Sequence, residues 1–362
     1  MKICFLAPAN SAHTIKWCNY FRAQGHELHV ISFTEGQIEG VQVHQVRNDV
    51  SVGGGDLQKL QYLTRAGQVR KLVKQISPDI INAHYATSYG TVAALAGLKN
   101  YVLSVWGSDI YDFPKKSLLH RLLLKYSLNS ASYLFSTSKA MADEAAKYTK
   151  KKFEITPFGV DMNLFAPEKD KHDDGRFVIG TVKTLSPKYG IDYLLEAASL
   201  VAKEHPEIPL DVRIAGSGSH EQEYHALAEE LNIQNITTWL GFIPQEQAAR
   251  EWANMDAAVI CSTLESESFG VSAVEAGSCG CPVIISDIPG LMEATQPGVS
   301  SVVVPRKNAR AIADALVSLY QDPQRRKQMG QQGRRYVREH FEITECFQEI
   351  EKHFQRILDR QA

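Results

Sequence analysis

The sequence predicts two doubly wound α/β domains in tandem, each a parallel sheet with helices on both faces. The chain has 362 residues, which suits two domains because single domains cluster at roughly 100 to 200 residues. Short apolar runs rich in β-branched residues alternate with longer segments of helical periodicity, as in parallel-strand units. A polar stretch with proline and glycine at 167–176 is typical of a linker between two domains.

The strands are predicted at the apolar runs. Seven runs precede the polar stretch, at 2–7, 27–33, 41–46, 79–84, 101–106, 132–137 and 153–157. Six follow it, at 177–182, 210–215, 236–240, 256–261, 282–286 and 301–304. We expect an N-terminal domain at 1–165, a C-terminal domain at 166–343, and a final helix at 344–362 that packs back on the N-terminal domain. In such sheets ligands bind beyond the carboxyl ends of the strands, so the residues after each run are the candidate site.

The composition is that of a globular protein. Hydrophobic residues make up 44% and charged residues 22%, which excludes disordered and collagen-like chains. No apolar run approaches the roughly 20 residues that span a bilayer, and the first run reads as a buried strand rather than a signal peptide. We therefore expect a cytoplasmic protein whose six cysteines form no disulfides. No nucleic-acid partner is expected.

The net charge of -2 is the sum of two oppositely charged halves. Residues 1–160 hold 19 Lys and Arg against 11 Asp and Glu, a net of +8, and the rest hold 20 against 30, a net of -10. Segment 115–152 alone has nine basic and two acidic residues. The leucine-rich part at 118–126 suits either a core helix, which we prefer, or a helix on an anionic membrane. The basicity predicts an acidic partner such as a lipid diphosphate or an acidic glycan, with peripheral contact at the inner face of the cell membrane.

Two glutamates stand out after the run at 256–261. Glu267 and Glu275 are eight residues apart, which on one helix corresponds to roughly 12 Å of rise, comparable to the span from hexose to ribose in a nucleotide sugar. Gly270 permits close backbone approach, and the amides of a helix start form an anion site. The alternative is that both are solvated acids on a helix face.

Two lysines follow the run at 177–182. Lys183 and Lys188 lie on a loop that enters a helix, where they would neutralise a diphosphate leaving group as a divalent metal does elsewhere. The alternative is an ordinary pair of surface lysines. Gly216, after the run at 210–215, repeats the strand–glycine–helix pattern. The sequence has no Asp-x-Asp motif, and we expect neither a metal site nor a cofactor.

Together these motifs resemble the retaining glycosyltransferases of family 4, the glycosyl transferases group 1. The resemblance covers essentially the whole chain. It is carried by the Glu267-x7-Glu275 motif with Phe269-Gly270 and Gly277, the Lys183/Lys188 loop, the segment 158–165 and the segment 240–244. It implies the GT-B fold, with two Rossmann-like domains facing a central cleft. The implied activity is retaining transfer of a hexose or N-acetylhexosamine from a nucleotide diphosphate sugar, with UDP favoured, to a glycan or lipid-linked acceptor, without a metal.

The resemblance also implies roles for residues of the second half. Glu267 would hold hydroxyls of the donor sugar, and Glu275 would bind the ribose. Lys183 and Lys188 would oppose the diphosphate charge, which makes them, with Glu267, the implied catalytic residues. The acceptor would attack from the face of the leaving group, so no dedicated nucleophile is required. The other candidate donor-binding residues are Ser268, Phe269, Gly270, Val271, Gly216, Phe242 and Ile243.

In the first half, the resemblance points to the loop after the first run. The candidates for contact with acceptor or phosphate are Ala9, Asn10, Ser11 and His13 in this loop, and His84 at the end of the run at 79–84. Trp106 stands where many relatives carry histidine, so that histidine's role cannot be transferred. Asp109 is then the nearest polar catalytic candidate, although a turn or helix-capping role suits it equally. His13 is equally well explained as a surface residue.

Two other classes of function compete with a transferase. Sugar-nucleotide 2-epimerases share the architecture and the donor, but they need acid/base carboxylates and histidines around the sugar, and the Glu-x7-Glu motif is not their pattern. A non-catalytic sugar-nucleotide-binding partner also remains an alternative. This sequence departs from the family pattern at Trp106 and in the first loop, where Ala9 and Ser11 stand in place of the paired glycines common in relatives.

Overall fold

The computed structural model describes residues 1–46, 64–168 and 174–360. They form two compact units: Met1–Phe158 with Phe347–Ala362, and Gly159–Cys346. The predicted domain boundaries at 165 and 343 fall a few residues from these divisions.

The first unit is built on a parallel sheet. Its strands are β1 (Lys2–Leu6), β2 (Glu27–Ser32), β3 (Gln42–Gln45), β4 (Ile80–His84), β5 (Val102–Val105), β6 (Tyr133–Ser136) and β7 (Phe153–Ile155), in the spatial order β3-β2-β1-β4-β5-β6-β7. Its helices include α1 (Ala12–Ala23), α2 (Ala66–Ile76), α3 (Gly90–Leu95), α4 (Ser108–Tyr111), α5 (Leu118–Ser130) and α6 (Lys139–Ala145). A π-helical turn at Tyr85–Tyr89 and a 3-10 turn at Phe113–Lys115 connect them.

The second unit repeats this plan. Its strands are β8 (Phe177–Val182), β9 (Leu210–Ala215), β10 (Thr237–Gly241), β11 (Ala257–Ile260), β12 (Val283–Ser286) and β13 (Ser301–Val304), in the parallel order β10-β9-β8-β11-β12-β13. Its helices include α7 (Ile191–Glu204), α8 (Glu221–Glu230), α9 (Gln245–Asn254), α10 (Val271–Ser278), α11 (Pro289–Glu293), α12 (Ala309–Gln321) and α13 (Pro323–His340). Short 3-10 turns lie at Pro187–Tyr189 and Gln234–Ile236.

The last helix, α14 (Ile343–Asp359), belongs to the first unit from Phe347 onward. Its aromatic face explains that placement. Phe347 meets the edge of Trp17 with ring centroids 5.6 Å apart, and Phe354 stacks on Phe21 at 5.6 Å. Aromatic pairs at such distances stabilise beyond their buried area alone.

The predicted fold class is confirmed: each unit is a parallel α/β sheet of the Rossmann-like kind. The thirteen predicted runs coincide with the strands found in the described residues. All four residues of β5 and of β11 are buried, because strands of a parallel sheet covered on both faces are apolar throughout. Helix starts also follow the sequence, as at α13, where Asp322 accepts a bond from the Arg325 amide at 2.9 Å and Pro323 occupies the first turn.

One local prediction is wrong. Glu267 and Glu275 do not share a helix, because α10 begins only at Val271. The preceding residue, Gly270, has φ +78° in the left-handed region, which breaks the helical path on its N-terminal side. The 12 Å rise expected between the two glutamates therefore does not apply.

Candidate active site

A cavity of about 510 Å³ opens at the carboxyl ends of β8, β9 and β10, beside the start of α10. It is lined by Val182, Lys183, Thr184, Tyr189, Gly216, Ser217, Phe242, Ile243, Val271, Ser272 and Glu275. Six of these were singled out from the sequence: Lys183, Gly216, Phe242, Ile243, Val271 and Glu275. The topology brings them together, because parallel strands deliver their following loops to one edge of the sheet. We call this the donor cavity.

Lys183 and Glu267 form an ion pair at the wall of the donor cavity. The Lys183 Nζ lies 2.9 Å from Glu267 Oε1, and the two side chains are only 11% and 8% exposed. Burial alone would lower the pKa of Lys183, but the carboxylate of Glu267 and the nearby Glu275 offset this, so the pKa is raised. Lys183 is therefore held charged and in a fixed position.

Lys188 lies on the 3-10 turn that follows, and its ammonium group donates to the carbonyl oxygen of Ser266 at 3.0 Å. Tyr189 joins the two lysines. The Lys183 Nζ lies 4.6 Å and the Lys188 Nζ 5.4 Å from the centre of its ring, within the range of cation–π attraction. The aromatic face thus holds two cations near each other despite their mutual repulsion.

The start of α10 contributes the backbone of the site. Val271 and Ser272 line the donor cavity, and the first-turn amides of a helix have no intrahelical acceptor. The Ser272 hydroxyl donates to the carbonyl of Val182 at 3.1 Å, which fixes the helix start against the end of β8. The arrangement forms an anion site of the kind that helix starts provide.

Gly216 is required by a close backbone approach. Its φ is +134°, and a Cβ there would lie 1.8 Å from the carbonyl oxygen of Lys183. Only glycine lets the loop after β9 pack directly against the loop that carries the lysines. The glycine thus shapes the floor of the donor cavity.

Glu275 and Phe242 occupy other parts of the lining. The Glu275 Oε2 accepts a hydrogen bond from the indole of Trp252 at 3.4 Å, which orients its carboxylate. Phe242 is 82% exposed, an unusual state for a large aromatic ring, whereas its neighbour Ile243 is buried. An exposed ring at a cavity rim is suited to stack on a flat ligand group.

The remaining predicted residues of this half lie beside the cavity rather than on its lining. Lys188 and Glu267 contact its wall, and Ser268, Phe269 and Gly270 lead into α10, with Ser268 and Phe269 buried. Sequence reasoning missed five lining residues: Val182, Thr184, Tyr189, Ser217 and Ser272. Tyr189 was detectable, because it directly follows Lys188 in the same loop.

At the carboxyl ends of the first sheet, an aromatic cluster surrounds two histidines. His13 stacks on Phe158 at 4.1 Å and meets Trp106 at 5.6 Å, and Trp106 lies 4.4 Å from His84. Burial, aided by Lys16, lowers the pKa of His13 to about 4. Burial and the nearby His13 lower that of His84 to about 3. Both rings are neutral at pH 7.

His84 is fully buried, and neither ring nitrogen has a hydrogen-bond partner in the described part of the chain. It therefore offers no accessible atom to an acceptor. Half-buried His13 is the member of the cluster that retains some exposure.

Asp109 is buried and its carboxylate is occupied by the backbone. Oδ1 accepts from the amides of Trp106 at 3.2 Å and Gly107 at 2.9 Å, and Oδ2 accepts from Ala86 at 2.9 Å. Burial raises its pKa, although these amide bonds oppose the shift. The geometry favours the turn-forming alternative over the catalytic one.

The first loop is also tied into its own unit. The Ala9 amide donates to the Ser32 hydroxyl at 2.9 Å, and Asn10 Oδ1 accepts from the Thr34 hydroxyl at 3.0 Å. Ser11 precedes α1 without a side-chain capping bond. Asn10 is exposed, and so remains able to contact a ligand.

The leucine-rich helix α5 corrects another expectation. Leu118, Leu119, Leu122 and Tyr126 are 70%, 57%, 54% and 44% exposed, whereas Leu124 and Leu128 are buried. The preferred interpretation as a core helix is therefore wrong for one of its two apolar faces. We call the four exposed residues the α5 patch.

Among the helices in the described ranges, none has the length and apolar character to cross a membrane. Nor do the described residues contain a group of three or more His, Cys, Asp or Glu side chains arranged for a metal ion.

Comparison with known proteins adds to this geometry. Residues 2–138 match the family model "Glycosyl transferase 4-like", and residues 164–336 match "Glycosyl transferases group 1". An uncharacterised glycosyltransferase of Methanocaldococcus jannaschii is 25% identical over 92% of this chain and 91% of its own length. A D-inositol 3-phosphate glycosyltransferase of Kribbella flavida is 32% identical over 49% of this chain and 45% of its own.

Two solved structures share the fold across nearly the full length. HepE of Anabaena, in complex with UDP and glucose, has a TM-score of 0.82 at 20% identity and covers 98% of this chain and 99% of its own. Sucrose-phosphate synthase of Thermosynechococcus elongatus has a TM-score of 0.86 at 17% identity, with coverage of 99% and 100%.

Proposed function

The chain belongs to the glycosyl transferases of group 1, and from that premise we propose that it transfers a hexose or N-acetylhexosamine from a UDP-sugar to a glycan or lipid-linked acceptor, with retention of anomeric configuration. The observation that carries this proposal is the donor cavity itself. Lys183 and the start of α10 line it, and Lys188 lies beside it, an arrangement that suits a diphosphate. HepE was solved with UDP-glucose as well as with UDP, which supports a uridine donor.

Different residues in and beside the donor cavity recognise different parts of such a donor. Phe242 at the rim stacks on the base, and Glu275 accepts the ribose hydroxyls. The amides at the start of α10 bind the diphosphate, with Lys183 and Lys188 as its counter-charges. Glu267, positioned by Lys183, accepts hydroxyls of the sugar.

In the proposed reaction, the bond between the anomeric carbon and the phosphate oxygen breaks as the acceptor oxygen bonds to the same face of that carbon. The acceptor proton passes to the departing phosphate oxygen. Negative charge grows on the diphosphate as this happens, and the lysines and helix start stabilise it without reorganising. In other transferases a divalent metal neutralises this charge. We propose that the reaction here proceeds without a divalent metal.

The test is a donor screen followed by a transfer assay. A UDP-sugar that raises the melting temperature identifies the donor, since a ligand at 100 times its Kd stabilises by about 2.7 kcal/mol. We expect acceptor-dependent release of UDP that persists in EDTA, and a product whose anomeric configuration by NMR equals that of the donor. Inversion, or full dependence on a divalent metal, would contradict the mechanism. Conversion of the sugar without any acceptor would instead indicate the epimerase.

The α5 patch supports an acceptor at a membrane surface. Three leucines and a tyrosine lie exposed on one helix, and Lys115, Lys116, Arg121 and Lys125 flank or interrupt them. Apolar side chains beside cations suit insertion between anionic headgroups. We therefore place the acceptor, a lipid-linked glycan or a lipid diphosphate, at the inner face of the cell membrane, where the enzyme binds peripherally.

Flotation with vesicles of phosphatidylglycerol and phosphatidylcholine tests this contact. We expect the chain to float at low salt, and the Leu118→Ser/Leu122→Ser variant to bind roughly 10- to 100-fold more weakly, because two leucines no longer leave water. Ile155→Ser, an exposed apolar residue outside the α5 patch, is the control. If the double variant bound vesicles as tightly as the parent chain, the α5 patch would not be the membrane contact. The transferase proposal would be unaffected.

A further inference from the structure

A second cavity, of about 670 Å³, lies in the same unit at the opposite edge of the sheet. Asp256 and Pro282, which line it, precede β11 and β12, whereas the lining of the donor cavity follows strand ends. One wall is a single face of α13, which presents Arg326, Lys327, Gln331, Arg334, Arg335 and Arg338. The donor reaction uses none of these residues. We call it the α13 cavity.

The positive charge of the α13 cavity is only partly balanced. Arg326 lies 3.8 Å from Asp256, and Arg335 lies 2.9 Å from Glu339. Over the described ranges, the other three cations have no carboxylate within ion-pair distance: Lys327, Arg334 and Arg338. Glu168 is the one further carboxylate on the described lining. Three positive charges therefore line a concave surface without a carboxylate partner among the described residues.

The arrangement is unfavourable for the helix that carries it. Arg334 and Arg338 are one turn apart, where like charges destabilise a helix. Arg334 donates to the carbonyls of Phe165 and Ser278, which are neutral acceptors, and burial together with Arg338 lowers its pKa. At the other end, Arg325, Arg326 and Lys327 lie near the start of α13, where Asp322 caps the helix but no acidic residue follows in the first turn. Cations there oppose the helix dipole.

A bound anion removes these costs, since it pairs with the unbalanced cations at both ends of the α13 face. The cavity is concave and has room for a ligand well beyond a single ion. Its wall is also firmly built, because Gly330 packs so closely that a Cβ there would lie 2.0 Å from the carbonyl oxygen of Gly280. We propose that the α13 cavity binds a small anion carrying at least two phosphate groups, separately from the donor.

Calorimetry on the full chain saturated with UDP tests the proposal, with inorganic diphosphate as the probe. We expect one further equivalent of diphosphate per chain. Lys327→Ala/Arg338→Ala should weaken that binding on the order of 10- to 100-fold, as expected for lost charged hydrogen bonds. UDP binding should stay unchanged. Arg325→Ala is the matched control, because Arg325 lies on the same helix, bonds only Ser318 through its side chain among the described contacts, and does not line the cavity.

Two further measurements separate the alternatives. Lys188→Ala, which alters the donor site, should leave binding of diphosphate at the α13 cavity unchanged. The proposal for the α13 cavity can therefore hold even if the assigned role of Lys188 in donor binding is wrong. Absence of binding beyond UDP, or an equal loss in Arg325→Ala, would overturn the proposal. So would binding to phosphatidylglycerol vesicles that depends on Lys327 and Arg338 without any binding of diphosphate, since the partner would then be a lipid surface.

Discussion

The ion pair between Lys183 and Glu267 joins residues that are 84 positions apart in the chain. Both side chains are nearly excluded from water, and the carboxylate of Glu267 is the counter-charge that holds Lys183 charged. A buried pair of this kind contributes little net stability, but removing one partner leaves an uncompensated charge. We therefore expect the pair to serve the site more than the stability of the fold.

This reasoning predicts the outcome of separating the pair. Glu267→Ala should lower the free energy of unfolding by about 3 to 5 kcal/mol, because Lys183 loses its counter-charge. The Lys183→Met/Glu267→Leu double variant should recover much of that loss, since both charges are gone, yet remain inactive in transfer. Denaturant unfolding and the transfer assay measure the two effects. A double variant as unstable as Glu267→Ala would show that the pair itself stabilises the fold.

Lys188 is expected to act mainly on the rate. Its ammonium contacts the carbonyl oxygen of Ser266 and the ring of Tyr189, both beside the donor cavity. We predict a kcat lower by roughly 10- to 1000-fold through lost stabilisation of the leaving diphosphate, with partial recovery in Lys188→Arg. Steady-state kinetics check this, and Lys203→Ala, an exposed lysine of α7, is the control. An unchanged kcat would exclude Lys188 from the chemistry.

At the scale of elements, the start of α10 depends on Gly270. Its φ is +78°, and a Cβ at this position would lie 2.7 Å from Leu291 Cδ2, so any other residue meets two separate costs. Gly298 has the same φ of +78° with nothing within 4 Å of such a Cβ. The two positions therefore separate backbone strain from steric contact.

We predict that Gly298→Ala lowers stability by about 1 to 2 kcal/mol through the left-handed backbone alone. Gly270→Ala should cost more, because the contact with Leu291 adds to the same strain, and it should also weaken UDP binding by displacing the amides of α10. Thermal unfolding and UDP titration measure these effects. Equal melting temperatures in the two variants would mean that Leu291 moves aside freely.

The elements could be predicted from the sequence more fully than the site. Inner strands that are covered on both faces are apolar almost throughout, so they were visible as runs, although no residue of the edge strands β3 and β7 is buried. The helix carrying Glu275 was also expected, but its start was not, because the left-handed φ of Gly270 depends on tertiary packing. The exposure of Leu118 and Leu122 was missed for a similar reason: leucine spacing alone does not show which helical face is covered.

Contacts between residues that are distant in the sequence could not be predicted from the sequence. The Lys183–Glu267 contact and the bond from Trp252 to Glu275 arise from the order of strands in the second sheet. Their residues were recognisable as candidates only one at a time. The α13 cavity was not anticipated at all, because the sequence does not show which cations of a helix face a concave surface.

For the whole molecule, net charge proves a poor guide to where anions bind. Residues 161–362 carry a net charge of -10, yet the second unit contains both the donor cavity and the cationic α13 cavity. Buried and concave positions strengthen local charges, whereas distant surface charges are screened within about 10 Å at ordinary salt. We therefore expect local geometry rather than net charge to decide anion binding in this half.

The buried histidines make the stability of the first unit depend on pH. The pKa of His84 is lowered to about 3, whereas the unfolded chain protonates histidine near pH 6.5. Between these values the unfolded state binds more protons, so the stabilisation is complete above pH 6.5 and is lost as the pH falls towards 3. His13, with its pKa of about 4, acts in the same direction. Each such group contributes a slope of about 1.4 kcal/mol per pH unit.

We predict that His84→Gln reduces the loss of stability between pH 6.5 and pH 4.5, whatever its effect at pH 7. Hydrogen exchange of peptides from β1 and β4 measures this, because it reports opening of the first unit alone. His225→Gln, at a partly exposed position of α8 in the second unit, should leave the profile of these peptides unchanged. An identical pH slope in His84→Gln and the parent chain would mean that His84 takes up its proton in the native state, and that the aromatic cluster around Trp106 opens to water more readily than its burial indicates.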